Sequence, residues 1–140
     1  MIHKYFLLFF FFLFISTSVI AQLEKTIHQT FDLENQKSIS IDLISDSTAI
    51  ILWAGNTILT ETKVRLYDAS PSILTHFMDK EQRYAIEADT SGQTVLLYSV
   101  NKERKPIRTR SGECPEYVNI RVFVPEEFEK QEGNTFIRNN

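Results

Sequence analysis

Asp46–Tyr67 reads D-S-T-A-I-I-L-W-A-G-N-T-I-L-T-E-T-K-V-R-L-Y, two apolar-rich runs on either side of Gly55-Asn56. A glycine–asparagine pair in that position signals a two-residue turn, so the stretch predicts the central hairpin of a β-sheet. With Gly55 and Asn56 as the turn's central residues, Trp53 lies opposite Ile58, Ile51 opposite Thr60, Ala49 opposite Thr62 and Asp46 opposite Arg65. Ile58, Thr60, Thr62, Val64 and Leu66 then share one face of the second strand, and Leu59, Glu61, Lys63, Arg65 and Tyr67 the other. One side is core and the other largely wet. On this register Trp53 faces the core.

Working outward, Ser38–Leu43 alternates cleanly, with Ile39, Ile41 and Leu43 on one side. Gln22–Asp32 alternates loosely and reads as a strand at a sheet edge. Ser70-Pro71 offers an N-cap and a first-turn proline, and apolar residues follow at Ile73, Leu74, Phe77 and Met78. That pattern predicts one short helix over Pro71–Lys80, its apolar stripe covering one end of a sheet. Arg83–Asp89 and Thr94–Val100 flank the turn residues Asp89-Thr90-Ser91-Gly92 and predict a second hairpin, with the latter strand interior. Tyr117–Val124 alternates strongly until Pro125 stops it. The expected fold is mainly β: an antiparallel β-sandwich or sheet of about six to seven strands with one short helix.

The chain opens with Lys4 and an apolar run from Tyr5 to Ile15, then small and polar residues ending Val19-Ile20-Ala21. This is the pattern of a secretory signal peptide, residues 1–21, too short for a comfortable membrane span. Membrane contact is therefore expected only through that segment, and the mature chain is expected to be periplasmic, cell-surface or extracellular. Cleavage leaves 14 bases against 18 acids, a net charge of −4, which argues against general nucleic-acid binding. The remaining residues divide into one β-rich domain, 22–125, and a polar tail, 126–140, with too few apolar residues to order itself. Cys114 is the only cysteine, so thiolate zinc sites and internal disulfides are excluded. A cross-link between two copies through Cys114 is left open.

Residues for chemistry are sparse. His28 and His76 lack metal-ligand spacing and nucleophile motifs, and both are expected to be exposed. Asp42, Asp46, Asp68, Asp79 and Asp89 lie mostly beside turns, where aspartate usually bonds the backbone. No catalytic, cofactor-binding or metal-binding residue is assigned. Trp53, Tyr67, Tyr84, Tyr98, Tyr117 and Phe123 would make a carbohydrate-stacking platform if several shared an outer face, but packing is the expected role. The one local departure from the acidic background is Asn101–Glu113, an expected exposed loop. It carries Lys102, Arg104, Lys105, Arg108 and Arg110, candidates for contact with an anionic glycan, a lipid headgroup or an acidic envelope protein.

Ser38-Ile39-Ser40-Ile41, Trp53-Ala54-Gly55-Asn56 followed by Ile58 and Glu61, and the closing I-R-V-F-V-P at Ile120–Pro125 resemble the N-terminal part of secreted adhesin domains of Bacteroidetes-type bacteria. The resemblance covers Ser38–Pro125 and implies short strands preceding a β-solenoid, with no catalytic residues to carry over. The expectation is an exported, non-enzymatic binding or surface-interaction module. The alternatives are a hydrolase acting on envelope polymers and a structural fragment of a longer solenoid adhesin.

Overall fold

The most regular alternation in the chain belongs to Glu116–Pro125, whose Val118, Ile120, Val122 and Val124 are each at most 1% exposed. That strand takes a central place. A computed structural model describes residues 22–140, and the expected signal peptide, residues 1–21, lies outside them. In chain order the described elements are β1 (Gln22–Phe31), β2 (Ser38–Asp42), β3 (Ser47–Trp53), β4 (Ile58–Tyr67), α1 (Pro71–Thr75), β5 (Ile86–Asp89), β6 (Thr94–Ser99), β7 (Ile107–Thr109), β8 (Gly112–Cys114), β9 (Glu116–Pro125), β10 (Phe128–Lys130) and β11 (Thr135–Arg138).

A four-stranded sheet runs β1-β4-β9-β3, a five-stranded sheet runs β10-β11-β2-β6-β5, and β7–β8 form a separate hairpin. One buried cluster draws Ile39, Ile41, Val95, Leu97, Phe128 and Phe136 from the five-stranded sheet. It draws Ile58, Val64, Leu66 and the four β9 residues from the other. The two sheets share a core, as in a sandwich, and α1 adds Leu74. The helix continues into a π-helical turn, His76–Lys80, so the expected span Pro71–Lys80 is helical throughout. Ser70 begins it without a side-chain cap, its hydroxyl bonding Ser72 instead.

The mainly β fold with one short helix stands, and so do the β5–β6 hairpin and the edge position of β1. The pairing is mixed, because β2–β6 and β3–β9 are parallel. The central hairpin is corrected. β9 lies between β3 and β4, parallel to the first and antiparallel to the second. Strands that flank a third stand about 9.6 Å apart, a gap that the four residues Ala54–Thr57 can arch across and a two-residue turn cannot. The arch closes over the end of β9, where Glu126 N–H donates to the Trp53 carbonyl at 2.8 Å. Inserting β9 gives both neighbours a ladder and buries four β-branched side chains, worth about 1.5–3 kcal/mol each.

The faces of β4 are as expected, with Ile58, Thr60, Thr62, Val64 and Leu66 all buried. Those of β3 are reversed. Ile51 sits beside Phe123, which also pairs Leu59, on the outer face, while Ile50 and Leu52 turn toward the other sheet. A shift of one residue in register has this effect on every side chain. Trp53 is half-buried and not a core anchor. Its indole N–H donates to the Thr57 carbonyl at 2.9 Å, and its six-membered ring lies on Gly55, where an added Cβ would fall 2.0 Å from Cη2. Gly55 is therefore needed for close approach.

The expected disordered tail is also corrected. Phe128 and Phe136 are 0% and 2% exposed on the β10–β11 hairpin, which adds two strands to the second sheet. Gly133, at φ 65°, supplies the left-handed turn residue between them. Arg138 then bonds the Gln36 carbonyl at 2.9 Å and Glu127 at 2.7 Å, and lies 4.6 Å from the Phe128 ring centroid. Two aromatic anchors and one arginine order a segment whose average composition is polar.

Candidate functional site

The basic segment after β6 is not the open loop its composition suggests. Its first half is built into the junction between the sheets. Arg104, 13% exposed at the side chain, places Nε 3.0 Å from Glu116 Oε1 and a terminal nitrogen 3.1 Å from Asp46 Oδ2. Glu116 opens β9 and is 10% exposed. It also receives Arg83 as a bidentate partner at 2.8 and 3.0 Å, and the Tyr84 hydroxyl. Arg83, at 4% exposure, gives its remaining reach to the Lys105 carbonyl and stacks 5.3 Å from the Phe77 ring centroid. Asp46 accepts the Val118 N–H at 2.6 Å.

Two guanidinium groups and two carboxylates balance one another in this cluster. Such balance is what allows charge to be buried at all. Burial pulls the Arg83 guanidinium down, but the bonds to Glu116 outweigh it and hold the group above its ordinary value. Burial, and then the bond to Glu116, pushes the Tyr84 phenol well above the usual tyrosine range. Asp46 and Glu116 are bridged by Arg104, while Arg83 and Tyr84 donate further bonds to Glu116 and the Val118 N–H donates to Asp46. Their arrangement is that of a structural tie.

From this anchor the chain rises into β7–β8. Ile107 and Cys114 face each other at its root, 2% and 3% exposed, and the Cys114 thiol donates to the Asp68 carbonyl at 3.4 Å. The thiol that the sequence left open for a cross-link between copies is thus buried at the root of this hairpin. Gly112, at φ 120°, makes the return with Thr109, whose hydroxyl accepts the Ser111 N–H at 3.2 Å.

The five candidate residues therefore separate. Arg104 is consumed by the cluster. Lys102 is exposed but tethered, 3.6 Å from Asp42 and 4.8 Å from the Tyr98 ring centroid. Lys105, Arg108 and Arg110 are exposed, and among the described residues none of the three is ion-paired. Sequence reasoning missed Arg83 and Glu116, and weighed Tyr84 only as an aromatic side chain. The signal available was Arg83 and Glu116 standing at the mouths of two apolar strands.

The six aromatic candidates divide. Tyr84 is buried, Trp53 lies over the arch, and Tyr98 bonds Glu87 at 2.9 Å on the other sheet. Tyr67, Tyr117 and Phe123 share the outer face of the four-stranded sheet, with Arg65 and Arg121 stacked 5.6 and 5.4 Å from the Tyr117 and Phe123 ring centroids. Arg121 also forks onto Glu61 at 3.1 and 2.8 Å, and that bond draws the carboxyl below its usual range. Arg65, expected opposite Asp46, instead reaches Glu24 at 3.4 Å. His28 and His76 are exposed as expected, His76 lying 3.2 Å from Glu81. Among the described residues no three of His, Cys, Asp and Glu gather as metal ligands would, and no helix is long and apolar enough to cross a membrane. Comparison of the chain with protein-family models, with curated proteins and with solved structures finds no match in any of the three.

Proposed function

We propose that the protein is exported and acts as a non-enzymatic binding module, whose β7–β8 hairpin engages an anionic glycan. The observation that carries this reading is a contrast within one short segment: Arg104 is locked into a buried, charge-balanced cluster, while Lys105, Arg108 and Arg110 stand exposed and unpaired beyond it. A cationic hairpin fixed at its root loses little freedom when a ligand docks, and preorganisation of this kind favours binding. The signal-peptide pattern of residues 1–21 supports export, and the adhesin-like resemblance of Ser38–Pro125 supports a surface role.

The test is to replace Lys105, Arg108 and Arg110 together with serine and measure retention on immobilised anionic and neutral glycans. The native protein should be held by the anionic matrix, released as salt screens the contact, and the triple variant should pass through. Equal retention of both proteins on both matrices would overturn the reading. Anionic vesicles, run in parallel, distinguish a lipid headgroup from a glycan.

A further inference from the structure

The strand edges of this sandwich are protected unequally. β1 carries Glu24, Lys25 and His28, β5 carries Glu87 and Asp89, and β10 is three residues long with Glu129 and Lys130. β5 is also clasped, because the Gln29 side chain donates to the Ile86 carbonyl at 2.9 Å and accepts its N–H at 3.3 Å. β3 has no such device. Its sequence, S-T-A-I-I-L-W, has no charge and no proline, β9 lies on one side of it and, among the described residues, no strand lies on the other, and Ile51 and Leu52 are 36% and 51% exposed. Beneath that edge a groove of about 300 Å³ opens between Thr48, Ile50 and Leu52 of β3 and Lys130, Asn134 and Phe136 of the other sheet. A long, uncharged, apolar edge is a template for another strand.

We propose that β3 is the seam of a symmetric dimer, in which β3 of a second copy of this chain pairs with it antiparallel about Ile50 and joins two four-stranded sheets into one. One feature selects a second copy in this orientation, and it is steric: the two-fold sets Ala49 opposite Ile51 of the other copy on the outer face and Thr48 opposite Leu52 on the inner face, small against large each time. Leu52 of the second copy then reaches toward the groove. The seam is isologous and closes on itself. It stands whether or not the β7–β8 hairpin binds an anion.

The experiment is sedimentation velocity of the purified protein over a wide concentration range, beside Ile51→Lys, with circular dichroism as the check on folding. The native protein should reach twice the mass of one chain, and the folded variant should stay at the mass of one chain. Single-cysteine variants then test the register independently of any lysine effect. Ala49→Cys and Ile51→Cys should each fail to cross-link alone and should link when mixed and oxidised. A native protein that stays at one chain mass at every concentration would overturn the proposal, as would a dimer that survives Ile51→Lys. Cysteine variants that link alone and not in the mixture would overturn the antiparallel pairing.

Discussion

Replacing Gly55 with alanine should destabilise the protein through a single side chain. The new methyl would fall 2.0–2.4 Å from three atoms of the Trp53 ring, so the indole must swing away from the arch. Its hydrogen bond to the Thr57 carbonyl is worth about 1 kcal/mol. Uncovering roughly 100 Å² of a half-buried indole adds about 2.5 kcal/mol. The alanine returns about 0.4–1 kcal/mol by restricting the unfolded chain. The net loss is about 2–3 kcal/mol, or about 8–12 °C in Tm for a chain of this size. Urea titration followed by fluorescence reads both halves of the argument, since Trp53 is the only tryptophan: the midpoint should fall and the native emission should shift to the red. In a Trp53→Ala background, itself costing about 2–3 kcal/mol and less than a fully buried indole would, Gly55→Ala should cost nothing measurable. An unshifted midpoint with unshifted emission would refute the stacking, and so would equal costs of Gly55→Ala with and without the indole.

Four further outcomes follow from the same structure. Thr60 and Thr62 bury hydroxyls that have no hydrogen-bond partner, so Thr→Val at either site should add about 1 kcal/mol of stability, read as a higher urea midpoint. Glu116→Gln leaves two guanidinium groups facing one carboxylate and should cost about 3–5 kcal/mol, while Glu61→Gln on the outer face should cost about 1 kcal/mol or less; thermal melts of the two variants make the comparison. Because the Tyr84 phenol has a raised pKa in the folded state, its contribution to stability is complete below the unfolded value and fades as pH climbs past about 10, and Tyr84→Phe should flatten that alkaline decline. The Asp89 carboxyl is held low by the Ser91 hydroxyl and then by the Ser91 N–H. Its contribution is present above about pH 4 and lost as pH falls below it, so Ser91→Ala should flatten the acid limb of the stability profile.

Alternation proved a good guide wherever a strand buries one face. The inward residues of β2, β4 and β9 could be read from spacing alone, as could the apolar stripe of the helix, because burial imposes the period directly. Partnership between strands was less legible. Gly55-Asn56 carries the signal of a tight turn, but the glycine is there to admit the Trp53 ring, and one residue type serves both needs. The choice between a β3–β4 hairpin and an inserted β9 depends on residues more than fifty positions apart, which no local pattern records. The carboxy-terminal hairpin was hidden for a different reason: Phe128 and Phe136 are two deep anchors in a polar segment, and average composition dilutes them. At the candidate site the positive charge was legible, while its division into a locked Arg104 and a presented Lys105, Arg108 and Arg110 was not. That division is made by Arg83, in the turn before β5, and Glu116, the first residue of β9.

The clasp of Gln29 on Ile86 also has a numerical meaning for assembly. A sheet sandwich with two receptive margins has a valence of two, and copies of it can add to one another without limit. Here the carboxamide occupies both backbone groups of Ile86, so the β5 margin offers no free ladder at that residue, and charged β1 stands beside it. The valence falls to one, at β3. A particle with a single receptive margin forms pairs and cannot form fibres; Gln29→Ala would free both backbone groups of Ile86 and leave Glu87 and Asp89 as the only guard on that margin.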